Sequence, residues 1–427
     1  MLRAFPESAS PFSPKADCRE VDLHQNPGKA TAIGCKGLNA GCIKPYVTSC
    51  LHTSACQACA DPTSPSMTQL PPPIALDQPL PHRKTLRSWL LPLSSRNTAR
   101  ALLLLAFDYA LLLSALAGTV VFAAVWAKLL CGVAAGFVIG RLFIIGHDAC
   151  HHSLTEHRSL NKWLGRIAFL PSITPYSLWD VGHNVIHHGF TNLKGADFVW
   201  APLTREEFAA LTPLQRQLNR IYRSGWAPGL YYMVEIWWKR MFFPNRQHMS
   251  TRRPLFILDN LLVSAYGLAW AGAMVWAAQA TAQPVWLLLA TGWLLPFLFW
   301  NAMIGFVVYV HHTHTKVSWH DKKTAWTQAQ PFVSTTVHLT FPLRIGAVLH
   351  HIMEHTAHHV DMSIPLYRLE AAQARLEALL PERIVVQKFS WRWYFETARR
   401  CKLYDFHRGC WTDYSGQRTS ETAAQPA

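Results

Sequence analysis

The sequence predicts an all-α integral membrane protein: four transmembrane helices arranged as two hairpins, with a cytoplasmic helical cap. Three observations predict it. Half of the 427 residues are hydrophobic and only 15% are charged, against about a quarter in soluble domains. Four apolar stretches reach the roughly 20 residues that cross a bilayer. The 22 histidines avoid the middle of those stretches and cluster beyond their ends.

The spans lie near Ala101 to Val121, Phe122 to Ile145, Leu255 to Ala278 and Val285 to Val310. The first two are joined very tightly, with Lys128 the only basic residue nearby, and the second pair is joined by the uncharged "QATAQP". Arg205 to Arg253 instead carries nine Lys and Arg. Basic loops stay cytoplasmic, so both hairpins enter from that side and both termini remain there. A soluble protein with buried core helices is the plain alternative, and four spans of this length argue against it. The net charge of +15 does not point to nucleic acid. The basic residues flank apolar runs, and no recognised binding motif accompanies them.

Residues 1–66 differ from the rest. They hold six of the ten cysteines, are rich in Ser, Pro, Thr and Gly, and show no hydrophobic period. They contain no apolar stretch for a signal peptide, and the lone "CQAC" lacks a second pair for a zinc site. Residues 1–84 are expected to be a disordered extension, with Met67 as an ordinary start; 85–404 form the membrane domain and 405–427 a C-terminal tail. The remaining cysteines, Cys131, Cys150, Cys401 and Cys410, do not suggest an extracellular disulfide framework.

Seven histidines fall between His147 and His188, four between His311 and His320, and six between His338 and His359. Each cluster follows an even number of crossings, so two hairpins deliver all of them to one membrane face. His147 and His151 are four apart and share a face of a helix, as do His183 and His187. His188 is offset by one residue and reaches toward a second ion. His355, His358 and His359 share a face, with His351 one turn earlier. Neutral imidazole is the commonest metal ligand. A zinc site closes at four ligands, so eight or nine imidazoles imply at least two ions. Nitrogen ligands do not identify the metal. With no evident Ser/His/Asp arrangement or phosphate loop, redox chemistry on a lipid fits best, and zinc is inert for it.

The motifs HxxxHH (His147 to His152), PYxxWxxxHxxxHHxxTN (Pro175 to Asn192) and HxxHH (His355 to His359) resemble the membrane-bound fatty acid desaturases, most closely the acyl-lipid delta-12 (omega-6) type. The resemblance runs from about Ala101 to Tyr404. It implies a non-haem centre of two iron ions, and desaturation of an acyl chain with dioxygen and two external electrons.

The same resemblance implies the ligands. His147 and His151 come from the first motif, with His152 as a neighbour or alternate ligand. His183, His187 and His188 come from the second, and His355, His358 and His359 from the third. One more comes from "HHTH" at the end of the fourth span, where His311, His312 and His314 compete. His312 is preferred because acyl-lipid members tend to read QHTH there, although His311 replaces that Gln. Glu354 is either a carboxylate near the site or a solvated residue. Asp148, Asp180 and Asp197 are candidates to hold the outer ring nitrogens.

No residue is assigned as acid, base or nucleophile. The membrane domain lacks a haem motif, a GxGxxG fingerprint and a cluster-like cysteine run, so a small haem or iron–sulfur protein is expected as donor, steered by the basic face. Tyr231 to Pro244 suits an interfacial helix or a buried cover for the site. "LYRLEAAQARLEALLPERI" suits an amphipathic structural helix. The expected setting is the bacterial inner membrane, with the histidine motifs cytoplasmic. Two rivals remain: a di-iron hydroxylase of alkanes or carotenoids, and a histidine-rich metal transporter. The transporter is disfavoured because the histidines sit at one end of the spans rather than inside them.

Overall fold

The computed structural model describes residues 70–245 and 253–422. The cysteine-rich residues 1–66, Met67, and Arg246 and Arg252 of the basic segment lie outside the described residues. Among the described residues, four helices are long and apolar enough to cross a membrane: Thr98–Val121, Val125–Cys150, Pro254–Ala280 and Val285–His312. Asn97 starts the first by accepting the Arg100 N–H at 2.8 Å. Pro254 opens the third at a position where its missing N–H costs nothing. The second helix continues past Ile145 to Cys150, carrying His147 and Asp148 on its last turn.

That second helix is the hub. In its apolar window 67% of residues are buried, against 22% in the first span. Gly132 and Gly136 face the Thr291 and Pro296 carbonyls of the fourth span so closely that a Cβ would collide with them. Small residues let the two backbones approach and set the packing. Leu103, Leu113, Leu258 and Leu261 remain exposed on the outer faces, as lipid-facing positions require.

The rest gathers around the histidine-bearing ends. Helix Pro228–Tyr231 passes into a π-helix over Tyr232–Phe242. It buries Tyr232, Ile236, Trp237 and Met241 while Trp238 and Phe243 stay exposed. The helix therefore has a face that covers the core and a face that suits an interface. Helix Leu369–Leu379 buries Leu369, Ala372, Gln373, Leu376 and Leu379, and Gln373 Oε1 accepts the Ala357 N–H at 2.8 Å.

Three expectations need correction. The chain is mostly helical but not all-α. Val337–Thr340 pairs in parallel with Val385–Lys388, and Leu403–Asp405 pairs antiparallel with Cys410–Thr412. The first pair joins the two ends of the segment that carries His355, His358 and His359. Residues 70–84 are not detached from the body: the Ile74 N–H donates to the Leu379 carbonyl at 2.9 Å, and helix Arg83–Leu90 buries Leu86 and Leu90. Residues 405–422 do not trail away either, because Trp411 is buried and its indole N–H donates to the Val317 carbonyl at 3.3 Å. Four-residue and shorter strands show too little alternation to be read from sequence.

Candidate metal centre

Nine imidazoles converge in two groups. His147, His151, His183, His188 and His358 form one, and His187, His312, His355 and His359 the other; within each group the ring nitrogens lie within 4.8 Å of one another. The Nε2 atoms of His147 and His183 are 3.0 Å apart, as are those of His183 and His188. His188 and His358, His312 and His355, and His355 and His359 each approach to 3.1 Å. Two nitrogens bound about 2.1 Å from one ion at roughly right angles stand about 3.0 Å apart.

The electrostatics agree. Burial pushes the His151, His183, His188, His355, His358 and His359 rings well below the ordinary histidine range, and neighbouring imidazoles add to the shift. These rings are neutral, the form that ligates metal. A neutral ring carries one proton, so clustered rings do not all satisfy one another. The buried His151 Nε2 has no hydrogen-bond partner. The donor set fits two cations.

The backbone explains the division. Val181–His187 is a π-helix, and the His188 N–H donates to the His183 carbonyl at 2.9 Å. This winding hydrogen-bonds residues five apart and brings the His188 ring closer to His183 than the His187 ring, with centroids 4.6 Å against 5.3 Å apart. His183 therefore shares a group with His188, and not with His187 as an α-helical spacing predicts. In the helix His355–Val360, His355 and His359 face one group and His358 the other.

His351 is not a turn of that helix. His350 and His351 have left-handed φ values of 50° and 58°, and the His351 Nδ1 meets Glu354 Oε1 at 3.2 Å. Glu354 thus engages a ring outside both groups. His152 also adopts a left-handed φ, 57°, and belongs to neither group. From "HHTH", only His312 joins a group. His311 stacks on His355 with centroids 3.9 Å apart and meets Met353 Sδ at 3.3 Å. His314 meets Gln387 Oε1 at 3.3 Å.

Among the acidic candidates, Asp197 holds the His187 Nδ1 at 3.1 Å. Asp148 Oδ1 lies 4.0 Å from His147 Nδ1, and its other oxygen accepts the Leu366 N–H at 2.7 Å. Asp180 accepts from Asn184 at 2.5 Å. Three further residues touch the site without a role read from the sequence: Thr191, Trp179 and Arg83. Thr191 Oγ1 donates to the His187 carbonyl at 2.8 Å and lies 3.3 Å from His359 Nδ1. Trp179 stacks on His183 at 4.0 Å. Both lie inside the second motif, which was the available signal; for Arg83 there was none.

An apolar cavity of about 630 Å³, its opening included, ends on both groups. Phe143, Ile144, Trp179, Ile304 and Val307 are among its walls, with His147 and His183 from one group and His187, His312 and His355 from the other.

Four membrane-length helices and a buried, two-group histidine centre beside an apolar cavity define a membrane metalloenzyme acting on an apolar substrate. The sequence model of the fatty acid desaturase family matches residues 123–391, and the chain belongs to that family, whose enzymes introduce double bonds into fatty acids. It is 29% identical over 274 residues to a sn-1 oleoyl-lipid 12-desaturase of Picosynechococcus sp., covering 63% of this chain and 75% of the relative. It is 28% identical over 277 residues to the chloroplastic omega-6 fatty acid desaturase of Glycine max, covering 63% and 61%. A sn-1 acyl-lipid omega-3 desaturase (ferredoxin) of Synechocystis sp. is 26% identical over 256 residues, covering 58% and 66%.

Proposed function

We propose that the protein desaturates acyl chains of membrane lipids at a pair of irons held by His147, His151, His183, His188 and His358 on one side and His187, His312, His355 and His359 on the other. The carrying observation is the apolar cavity that ends on imidazoles of both groups. One dioxygen takes two electrons and two protons from outside together with the two hydrogens that adjacent methylenes lose, and leaves as two waters while the methylenes form C=C. The iron pair, when bound, supplies the oxygen activation that an unactivated C–H bond requires.

The protein's share is binding and orientation. Phe143, Ile144, Ile304 and Val307 offer the chain an apolar bed, worth about 0.8 kcal/mol per buried methylene, and keep water from the reacting carbons. Asp197 accepts from His187 Nδ1 and frees Nε2 for metal. Trp179, stacked on His183, fixes that ring.

The spans are read as two hairpins in the bacterial inner membrane, with the histidine ends and both termini cytoplasmic. The basic residues between Arg205 and Arg253 support this. A small electron carrier of the ferredoxin kind is the proposed donor, in line with the name of the Synechocystis relative. Fatty-acid methyl ester analysis of a host expressing the chain tests the reading. A new double bond is expected. An alcohol product would mean the hydroxylase, and unchanged lipids with iron bound would remove the assignment.

A further inference from the structure

The helix His355–Val360 has only six residues, yet it supplies imidazoles to both groups. So short a helix leaves its last carbonyls in need of outside donors. The carbonyls of His359 and Val360 find one in Arg83, whose Nη2 donates to His359 at 2.6 Å and whose Nε donates to Val360 at 3.0 Å. Arg83 is itself seated: it begins the helix Arg83–Leu90, which is anchored by the buried Leu86 and Leu90. No other side chain joins the start of the described chain to the backbone of a histidine in either group so directly.

We propose that Arg83 is a positioning residue for the four-histidine group, setting the rotation and depth of His359 through its carbonyl. The inference rests on the reading of the nine histidines as ligands. A planar guanidinium grips two successive carbonyls at once, which a lysine ammonium does not reproduce. The residue stands in the stretch 1–84 that the sequence assigns to a disordered extension, so a truncation past it would remove the clamp along with its helix.

The test uses the full chain, purified with iron, as R83Q and R83K, with K84Q, an exposed neighbour on the same helix, as control. Iron per chain, kcat, KM and thermal melting are measured. R83Q is expected to lose iron from the four-histidine group while the five-histidine group keeps its ion. Its kcat should fall about 10- to 100-fold, the range for groups that orient metal ligands, with KM unchanged. R83K should lie between R83Q and wild type, and K84Q should match wild type. If R83Q does not fold, the iron deficit is read on R83K. Full iron and wild-type kcat in the folded R83 variants, with only a lower melting temperature, would overturn the proposal. Wild-type chain that takes up no iron would instead overturn the metal reading beneath it.

Discussion

His183 and His188 bring their Nε2 atoms to 3.0 Å across a separation of five residues, while His187, one residue nearer, faces the other group. A π-helical turn makes this possible, since an α-helix would align His183 with His187.

Insertion of one alanine after Val185 tests that winding. Val185 is 59% exposed, so an added residue there meets little packing. The insertion lengthens the five-residue spacing to six, which carries His188 away from His183 in an α-helical and in a π-helical winding. Loss of product and iron, with protein still folded in the membrane, is expected; full activity would show that this spacing does not organise the site.

A second prediction concerns a charge network between spans. Asp108 Oδ1 accepts from Arg141 Nε at 3.0 Å and Nη2 at 2.7 Å, and its Oδ2 meets His350 Nε2 at 2.7 Å. Arg141 also donates to the Val348 carbonyl. The network ties the first two spans to the segment preceding His355. Asp108→Ala leaves a buried guanidinium without its carboxylate and should cost about 3–5 kcal/mol. Denaturant or thermal melting checks this, and a melting curve like wild type would contradict it. The double change Asp108→Leu with Arg141→Met should recover much of the loss.

The cavity yields a third. Val307 lines it and is buried. Val307→Phe places a ring where the acyl chain is proposed to lie. A few displaced methylenes are worth about 1–3 kcal/mol, or roughly 10- to 200-fold in kcat/KM. Longer chains should suffer more than shorter ones, and iron content should not change. Equal loss for all chain lengths, or loss of iron, would mean that the change acts through the metal centre instead.

The spans were legible because a run of some 20 apolar residues has few other uses, and the structure places their ends within a few residues of expectation. The nine imidazoles named from the motifs are the nine that converge. Their partition is not legible: bringing residues five apart together requires a backbone winding that spacing does not disclose, and spacing alone pairs His183 with His187 rather than His188. His351 departs from its spacing for a related reason, since left-handed residues at His350 and His351 interrupt the helix. Arg83 gives no signal because its partners are carbonyls, which no side-chain pattern records. Asp108 and Arg141 pair between two adjacent spans, yet neither showed its partner in the sequence.

The central claim is that each histidine group holds one iron, and iron per chain tests it most directly. Purified wild-type protein should carry two. His188→Ala and His187→Ala should each fall toward one, by emptying different groups, and both should lose product. One zinc and no iron in wild type, or two irons retained in both variants, would contradict the account.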